Sequence, residues 1–563
     1  MNDENGNDRH RETTKMTIHQ RKHLATHPVA EMYAREYEAG KLDRREFLVR
    51  STALGVSAAA AYSMIGLEPA LAGGHRAIPP KGGTLRIQME VRALKDPRTY
   101  DWSQMGNFTR GFLEYLIEYN ADGSFSGILL DSWEANADAT QYTLRLRRGV
   151  KWNNGDDFTA EDVAANFIGW CDSTVEGNSM ATRMGGLVDP DTGVAREGAI
   201  VVVDDHTVRI NYPAPDITLV PGIADYPSAV QHRDLIGTNP LDHGVGTGAY
   251  MPGGTYEVGV QANLVRHPDH DYWGEAYLDE IVFVDLGQDP AAWFAGAEAG
   301  EFDMTYETVG EFVDLFTAVG WEQSEVTTAA TVVIRPNQDN APYDDVRVRR
   351  AIALAVDPQV CLDLGINGQG TLGENHHVCP IHPEYAELPP ITVDKDAAAA
   401  LLAEAGQSDH VFELSSIDDD YRRNTTDAVA AQMRDAGFNV ERVVIPGSTF
   451  WNDWASYPFS STNWNHRELG VQILNLAYRS GVPWNEAAFA NEEFDRLLDQ
   501  ANGIQDADAR REIMARLQQI MQDEGVTLQP YWRSLFRHYR PGVINAEMHP
   551  KFEINVHYLG VEA

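Results

Sequence analysis

Alternating apolar and polar side chains mark several short strands. "GTLRIQM" (83–89) has the period of two that a half-buried strand requires, and "YTLRLRRGVKW" (142–152) repeats it before a turn at Gly149. Between and after such runs the period lengthens to that of amphipathic helices. "FTAEDVAANFIGW" opens at Thr159, with Asp162 placed as the acid of a capping box. "DKDAAAALLAEAG" (394–406) predicts a helix closed by Gly406, and "TTDAVAAQMRDAGFNVERVVI" predicts one ended by Gly437 that leads into a β-branched strand from Val440 to Ile445. Strands alternating with helices predict α/β lobes rather than a helical bundle. No internal repeat or long low-complexity linker interrupts the pattern after residue 72, so the lobes must be joined by short crossings.

Length and charge sharpen this picture. A chain of 563 residues is too long for one ordinary core and predicts two or three lobes. Forty-five basic against 84 acidic side chains leave a formal charge of −39, and residues 1–72, with ten acids and ten bases, contribute none of the excess. Such a surface repels nucleic acid and anionic lipid head groups, so neither is an expected partner.

The first 72 residues read differently. Arg44 and Arg45 form a cationic pair, Ser51 to Leu67 is small and apolar, and Ala70-Leu71-Ala72 offers small residues at a cleavage site. "DRREFLV" resembles the twin-arginine signal of the pathway that exports folded proteins: it keeps Arg44, Arg45, Phe47 and Leu48 and departs from the pattern at Asp43 and Val49. The apolar run is short for a membrane span of roughly 20 residues. The expectation is a leader over 1–72, cleaved after Ala72, that plays no part in the working fold and delivers the chain to the periplasm through the twin-arginine translocase. Cys171, Cys361 and Cys379 are odd in number, which allows one disulfide and one thiol without fixing a pairing.

Two longer stretches carry a family resemblance. "LLDSWEANADATQYTLRLRRGVKWNNGDDFTAEDVAANF" (129–167) and "NAPYDDVRVRRAIALAVDPQ" (340–359) resemble the signatures of the extracellular solute-binding proteins of peptide, opine and nickel ABC importers, family 5; "NEEFDRLLDQA" and "GVTLQPYW" extend the similarity towards residue 535. The resemblance implies an α/β, two-lobed periplasmic binding protein fold of the large class, with an extra subdomain and a ligand cleft between the lobes. It divides the chain into a first lobe over 73–334 with an insertion at about 111–200, a second lobe over 335–530, and a return to the first over 531–563. The crossings fall near 332–336 and 528–533. Arg347, Arg349 and Arg350 read as surface or inter-lobe pairs.

It also directs attention to "NWNHREL" (463–469). In peptide-binding members the equivalent segment faces the cleft, and a Trp is followed three places later by an Asp that receives the peptide's α-ammonium group. Here Trp464 is followed by Arg467, a cation that does not lose its proton. Three alternatives stand: Glu468 takes the acid's role, Arg467 reads an anionic end of the ligand, or the two pair with each other or with the opposite lobe. Trp464, His466, Arg467, Glu468, Trp451, Tyr478 and Trp484 are the candidate cleft residues, joined by His376 and His377 from the loop "ENHHVCPIHPEY". That loop also holds Cys379 and His382 but lacks a zinc-site spacing, so it is read as ligand-facing, with no metal ligand assigned. Trp454 is a further wall candidate, and "MATRMGG" (180–186) a stretch that borders the cleft.

The function implied is a periplasmic receptor that captures a small organic solute or oligopeptide and delivers it to an ABC permease and ATPase. A metal-chelate (nickel-type) binding protein is the alternative, and an exported enzyme a more distant one. The sequence holds no nucleophile elbow, dinucleotide fingerprint or HExxH motif, so no catalytic residue and no cofactor are assigned.

Overall fold

The computed structural model describes residues 28–65, 77–136, 138–389, 392–504 and 507–562. Its spine is a mixed sheet of eleven strands. In spatial order these are Asn439–Ile445, Val411–Ile417, Phe459–Trp464, Glu322–Pro336, Tyr531–Tyr539, Met304–Thr305, Thr84–Gln88, Glu280–Val284, Gln261–Arg266 and Tyr250–Glu257, with Gly370–Leu372 paired to the side of Tyr531–Tyr539.

The long strand Glu322–Pro336 explains how one sheet serves two lobes. Its first half runs antiparallel to Tyr531–Tyr539, with Glu322 opposite Tyr539 and Thr327 opposite Ser534. A bulge follows, after which pairing with that strand resumes at Ala330 and Thr331, and from Thr331 to Pro336 the other edge of the long strand pairs with Phe459–Trp464. An extra residue at a bulge bends the strand and raises its twist, so the chain turns from one block of strands into the other at 327–330. The second lobe has its own apolar core, including Ile334, Tyr343, Ile352, Phe412, Val429, Met433 and Phe438. The bulge lies a few residues ahead of the expected crossing, and its partner strand crosses at 533–534.

Local expectations map closely onto elements. The 83–89 run is the strand Thr84–Gln88, parallel to Glu280–Val284 and Met304–Thr305. The helix after Thr159 spans Ala160–Trp170, with the Thr159 backbone N–H donating to Asp162 Oδ2 at 2.9 Å. Asp420–Asp435 leads into Asn439–Ile445, which lies parallel to Val411–Ile417 and completes a β-α-β unit. The first lobe carries a separate four-stranded antiparallel sheet, Leu130–Ala135, Gln141–Leu146, Thr207–Asn211 and Ile200–Asp204 in spatial order, so the strands of this insertion extend to 211. Arg347 pairs with Asp345, while Arg349 and Arg350 donate to the carbonyls of Glu524 and Asp523. These bonds tie elements of the second lobe together and do not join the lobes.

The N-terminal segment is helical in the full chain. Pro28–Glu38, Arg44–Ala53 and Ala58–Met64 are helices packed on the body, with Phe47 and Leu48 without exposed surface. In the full chain the apolar run that reads as a leader thus covers an apolar surface of the body. Ala70, Leu71 and Ala72 lie outside the described residues. Among the described residues no helix is long and apolar enough to cross a membrane. Cys171, Cys361 and Cys379 are all buried and unpaired.

Candidate functional site: an aromatic cleft between the lobes

Two chambers lie where the lobes face each other. The first, about 80 Å³, takes Glu90, Arg92, Trp102 and Tyr306 from the first lobe and Asp419, Tyr421, Arg422 and Trp451 from the second. The second, about 40 Å³, shares Trp102, Trp451, Asn463 and Asn465 with it and adds Tyr226, Trp454, Trp464, Arg467 and Trp484.

Strand ends place these side chains. Glu90 and Arg92 follow the carboxyl end of the parallel strand Thr84–Gln88, and Asp419 and Arg422 follow that of Val411–Ile417. Ligands in open α/β sheets bind outside the carboxyl ends of strands. Asp419 adopts extended geometry ahead of Asp420–Asp435, and Arg422, one turn in, donates from Nε to Asp419 Oδ2 at 2.6 Å. Arg422 also donates to Asn463 Oδ1 and lies 5.5 Å from the centre of the Trp451 ring. Burial works against the Arg422 charge, but the Asp419 carboxylate holds its pKa above the ordinary arginine value. On the facing wall Arg92 pairs with Glu90 at 2.6 Å and lies 4.4 Å over Trp102. Trp102 meets Trp451 edge to face, ring centres 4.4 Å apart, so an aromatic pair bridges the lobes.

Strand alternation sorts the opening of "NWNHREL". Asn463 turns to Arg422, whereas Thr462 and Trp464 reach Glu486 on the other face, with Trp464 Nε1 donating to Glu486 Oε1 at 2.7 Å. Trp464 also meets Trp454 and Trp484 edge-on. Trp451, Trp464, Arg467 and Trp484 therefore line the cleft.

Other expected site residues do not. Glu468 is buried and accepts from Lys551 Nζ at 2.7 Å through Oε1, a partner from the first lobe, while its Oε2 is a buried acceptor without one. Arg467 reaches the second chamber, but its guanidinium lies 3.7 Å from Asp225 and donates to the carbonyl of His466. Of the three alternatives for this pair of residues, the contact present is with an acid of the opposite lobe. Asp225 also binds Arg183 at 2.6 Å and lies 3.6 Å from Lys551. Burial pushes its carboxyl up, but Arg467, Arg183 and Lys551 together hold it well below the ordinary carboxylate range.

The histidines form a supporting layer. His466 Nδ1 accepts from Ala329 N at 3.0 Å, at the bulge of the long strand; His377 Nδ1 and the Tyr478 hydroxyl are 2.7 Å apart; His382 Nε2 bonds the Arg467 carbonyl at 3.0 Å. His376 lies 3.4 Å from Glu374. Burial depresses the pKa of His377 and His466 well below the ordinary histidine value and brings His382 to about 4, so these three rings are neutral hydrogen-bonding groups near pH 7. His376, His377, Tyr478 and His466 thus stand behind the wall, and the 374–385 loop braces the cleft from behind. Among the described residues no three His, Cys, Asp or Glu side chains are grouped to hold a metal ion.

The 180–186 stretch borders a different and larger cavity, about 840 Å³, between the insertion and the second lobe. Arg183, 4.9 Å over Trp484, belongs to its lining and stands beside the second chamber.

Residues 124–471 match the family described as bacterial extracellular solute-binding proteins, family 5 middle. The chain belongs to this family. Among curated relatives it is similar to heme-binding protein A of Haemophilus influenzae, 24% identical over 73% of this chain and 79% of the relative. It is also similar to the periplasmic oligopeptide-binding protein OppA of Salmonella typhimurium, 25% identical over 81% of this chain and 87% of the relative. Among solved structures, Haemophilus influenzae OppA in complex with RPPGFSPFR superposes with a TM-score of 0.77 at 20% identity, covering 86% of this chain and all of that one. The family 5 chain thus has the two-lobed periplasmic binding protein fold.

Proposed function

We propose that this family 5 protein is the periplasmic receptor of an ABC importer and that its solute is held in the cleft against the Trp102–Trp451 pair, with the Glu90–Arg92 and Asp419–Arg422 pairs as polar anchors. The observation that supports this most is the state of the walls. Asp419 Oδ1 and Gln104 Oε1 are buried acceptors without a partner, and Arg92 Nε and Trp451 Nε1 are buried donors without one. Unpaired buried polar groups are costly, and a solute carrying both donors and acceptors beside this aromatic pair would satisfy them. A zwitterionic organic molecule or a short peptide has that character, in keeping with the oligopeptide that names the OppA relatives. The receptor makes and breaks no bond. Closure of the lobes over the solute presents it to the permease and its ATPase, and the twin-arginine motif at Arg44 and Arg45 marks the export route to the periplasm.

A thermal-shift panel of short peptides, amino-acid conjugates, sugars, and nickel and iron chelates tests the reading. A ligand at a hundredfold excess over its Kd adds about 2.7 kcal/mol of stability. The expected result is a shift with zwitterionic organic solutes that Arg422→Gln and Arg92→Gln each reduce. A shift confined to metal chelates and untouched by both substitutions would overturn the assignment.

A further inference from the structure

The helix Arg44–Ala53 touches both lobes at once. On the first-lobe side, Arg45 donates to the Tyr119 hydroxyl at 2.9 Å, the Phe125 backbone N–H donates to Thr52 Oγ1 at 3.0 Å, and Trp133 Nε1 donates to the Thr52 carbonyl at 3.2 Å. On the second-lobe side, Arg50 donates to the Pro383 carbonyl at 2.6 Å, and Arg45 lies 3.4 Å from His466 Nε2. The apolar residues between these polar ties are spent on the same surface: Phe47, Leu48 and Val49 are buried. The close fit continues beyond the helix, where a Cβ at Gly55 would stand 2.0 Å from the Trp133 carbonyl oxygen.

One of these ties leads into the hinge. His466, which meets Arg45 through Nε2, accepts from Ala329 N through Nδ1, and Ala329 lies in the bulge where the long strand passes from one lobe to the other. A helix held by the hairpin 117–127 on one side and by Pro383 and His466 on the other resists any rotation that separates those groups. Docked partners that bind one conformation and not the other shift the equilibrium by their differential contacts.

We propose that the surface formed by Tyr119, Phe125, Trp133, Pro383 and His466 is a docking site for the chain's own Arg44–Ala53 helix, and that the docked helix clamps the two lobes together. While it is seated the hinge is held shut and the arginine-bearing motif has its Phe47 and Leu48 side chains turned inward. When it leaves, the lobes are free to open and those two side chains become available to a receptor of the motif.

The test uses the full chain without ligand. Spin labels at Glu257→Cys and Glu441→Cys, exposed positions on the two edge strands of the sheet, report the interlobe distance, and amide exchange over 44–53 reports docking. In the otherwise unaltered chain the helix should exchange about a hundredfold more slowly than unstructured peptide, and the labels should give one narrow distance population. Leu48→Asp should release the helix, raise exchange over 44–53 to the unstructured rate and add a second, longer distance population. Arg45→Gln, a milder change, should do the same in smaller measure, and it carries the test if Leu48→Asp also loses protection in the core strand Phe459–Trp464. Fast exchange over 44–53 in the unaltered chain would overturn docking. Release of the helix with unchanged interlobe distances would overturn the clamp.

Discussion

Asp225→Asn removes one carboxylate from among three buried cations. Asp225 has no exposed surface; it receives Arg183 Nε and Nη2 at 2.9 and 2.6 Å, and Lys551 and Arg467 stand 3.6 and 3.7 Å away. The amide keeps the volume and one acceptor but cancels the charge. Glu468 then serves Lys551 alone, and Arg183 and Arg467 lose the buried carboxylate they face. Taking one partner from a buried ion pair costs about 3–5 kcal/mol, so a loss in that range is expected, with the second-lobe Arg467 loosened from the first lobe. Chemical denaturation at pH 7 measures it. The pH dependence supplies a second check. The Asp225 carboxyl is held below its ordinary value, so its contribution is complete above the unfolded-state pKa and is lost as acid drives the pH down towards the folded value. Unfolding free energy should fall more steeply below about pH 4 in the unaltered protein than in Asp225→Asn. A loss under about 1 kcal/mol, or equal acid slopes, would refute the view that this carboxylate binds the lobes through buried charge.

Three further outcomes follow from other sites. Glu114, buried beneath Tyr272 and Trp273, is pushed up to about 7 by desolvation, so its stabilising effect is greatest below the ordinary carboxyl range and is lost as the pH rises to 7; Glu114→Gln should remove about 3 kcal/mol of that dependence in denaturation curves between pH 4.5 and 7.5. Glu486→Ala strands Arg335, whose Nε donates to that carboxylate at 2.7 Å, and should lower unfolding free energy by about 3–5 kcal/mol while freeing Trp464, read by its fluorescence. Trp451→Ala deletes the aromatic contact with Trp102, worth about 0.5–1.5 kcal/mol beyond its area, and should raise the radius of gyration in solution scattering as open molecules accumulate.

Local periodicity carried far in this chain because strands and helices declare themselves within a dozen residues. Thr84–Gln88, Ala160–Trp170 and Asn439–Ile445 were all legible from alternation, capping and turn residues. The aromatic wall was partly legible too, since Trp451, Trp464 and Trp484 sit in a Trp-rich stretch. Charge was harder. Arg467 and Glu468 read as free to meet a ligand because their partners, Asp225 and Lys551, are more than 80 residues distant in sequence and come together only when the lobes meet. Trp102, Asp419 and Arg422 were missed for a related reason. The signal that marks Asp419 and Arg422, an acid and a base just past the end of a buried parallel strand, has meaning only once "VFELSSI" is known to be that strand. The packing of the N-terminal helices was not legible, because a small apolar run has the same composition whether it crosses a translocase or covers Trp133.

The interlobe cleft lined by Trp102 and Trp451 is read as the site that carries an organic solute. Protein secreted by its own cell, purified without added ligand and then denatured, releases whatever it carried, and mass spectrometry of the small-molecule fraction identifies it. The account predicts a zwitterionic organic molecule or short peptide enriched from the unaltered protein and depleted about tenfold or more from Asp419→Asn with Trp451→Ala, a loss of at least about 1.4 kcal/mol in binding. Recovery of the same molecule in equal amount from both proteins, or of a stoichiometric metal chelate alone, would contradict it.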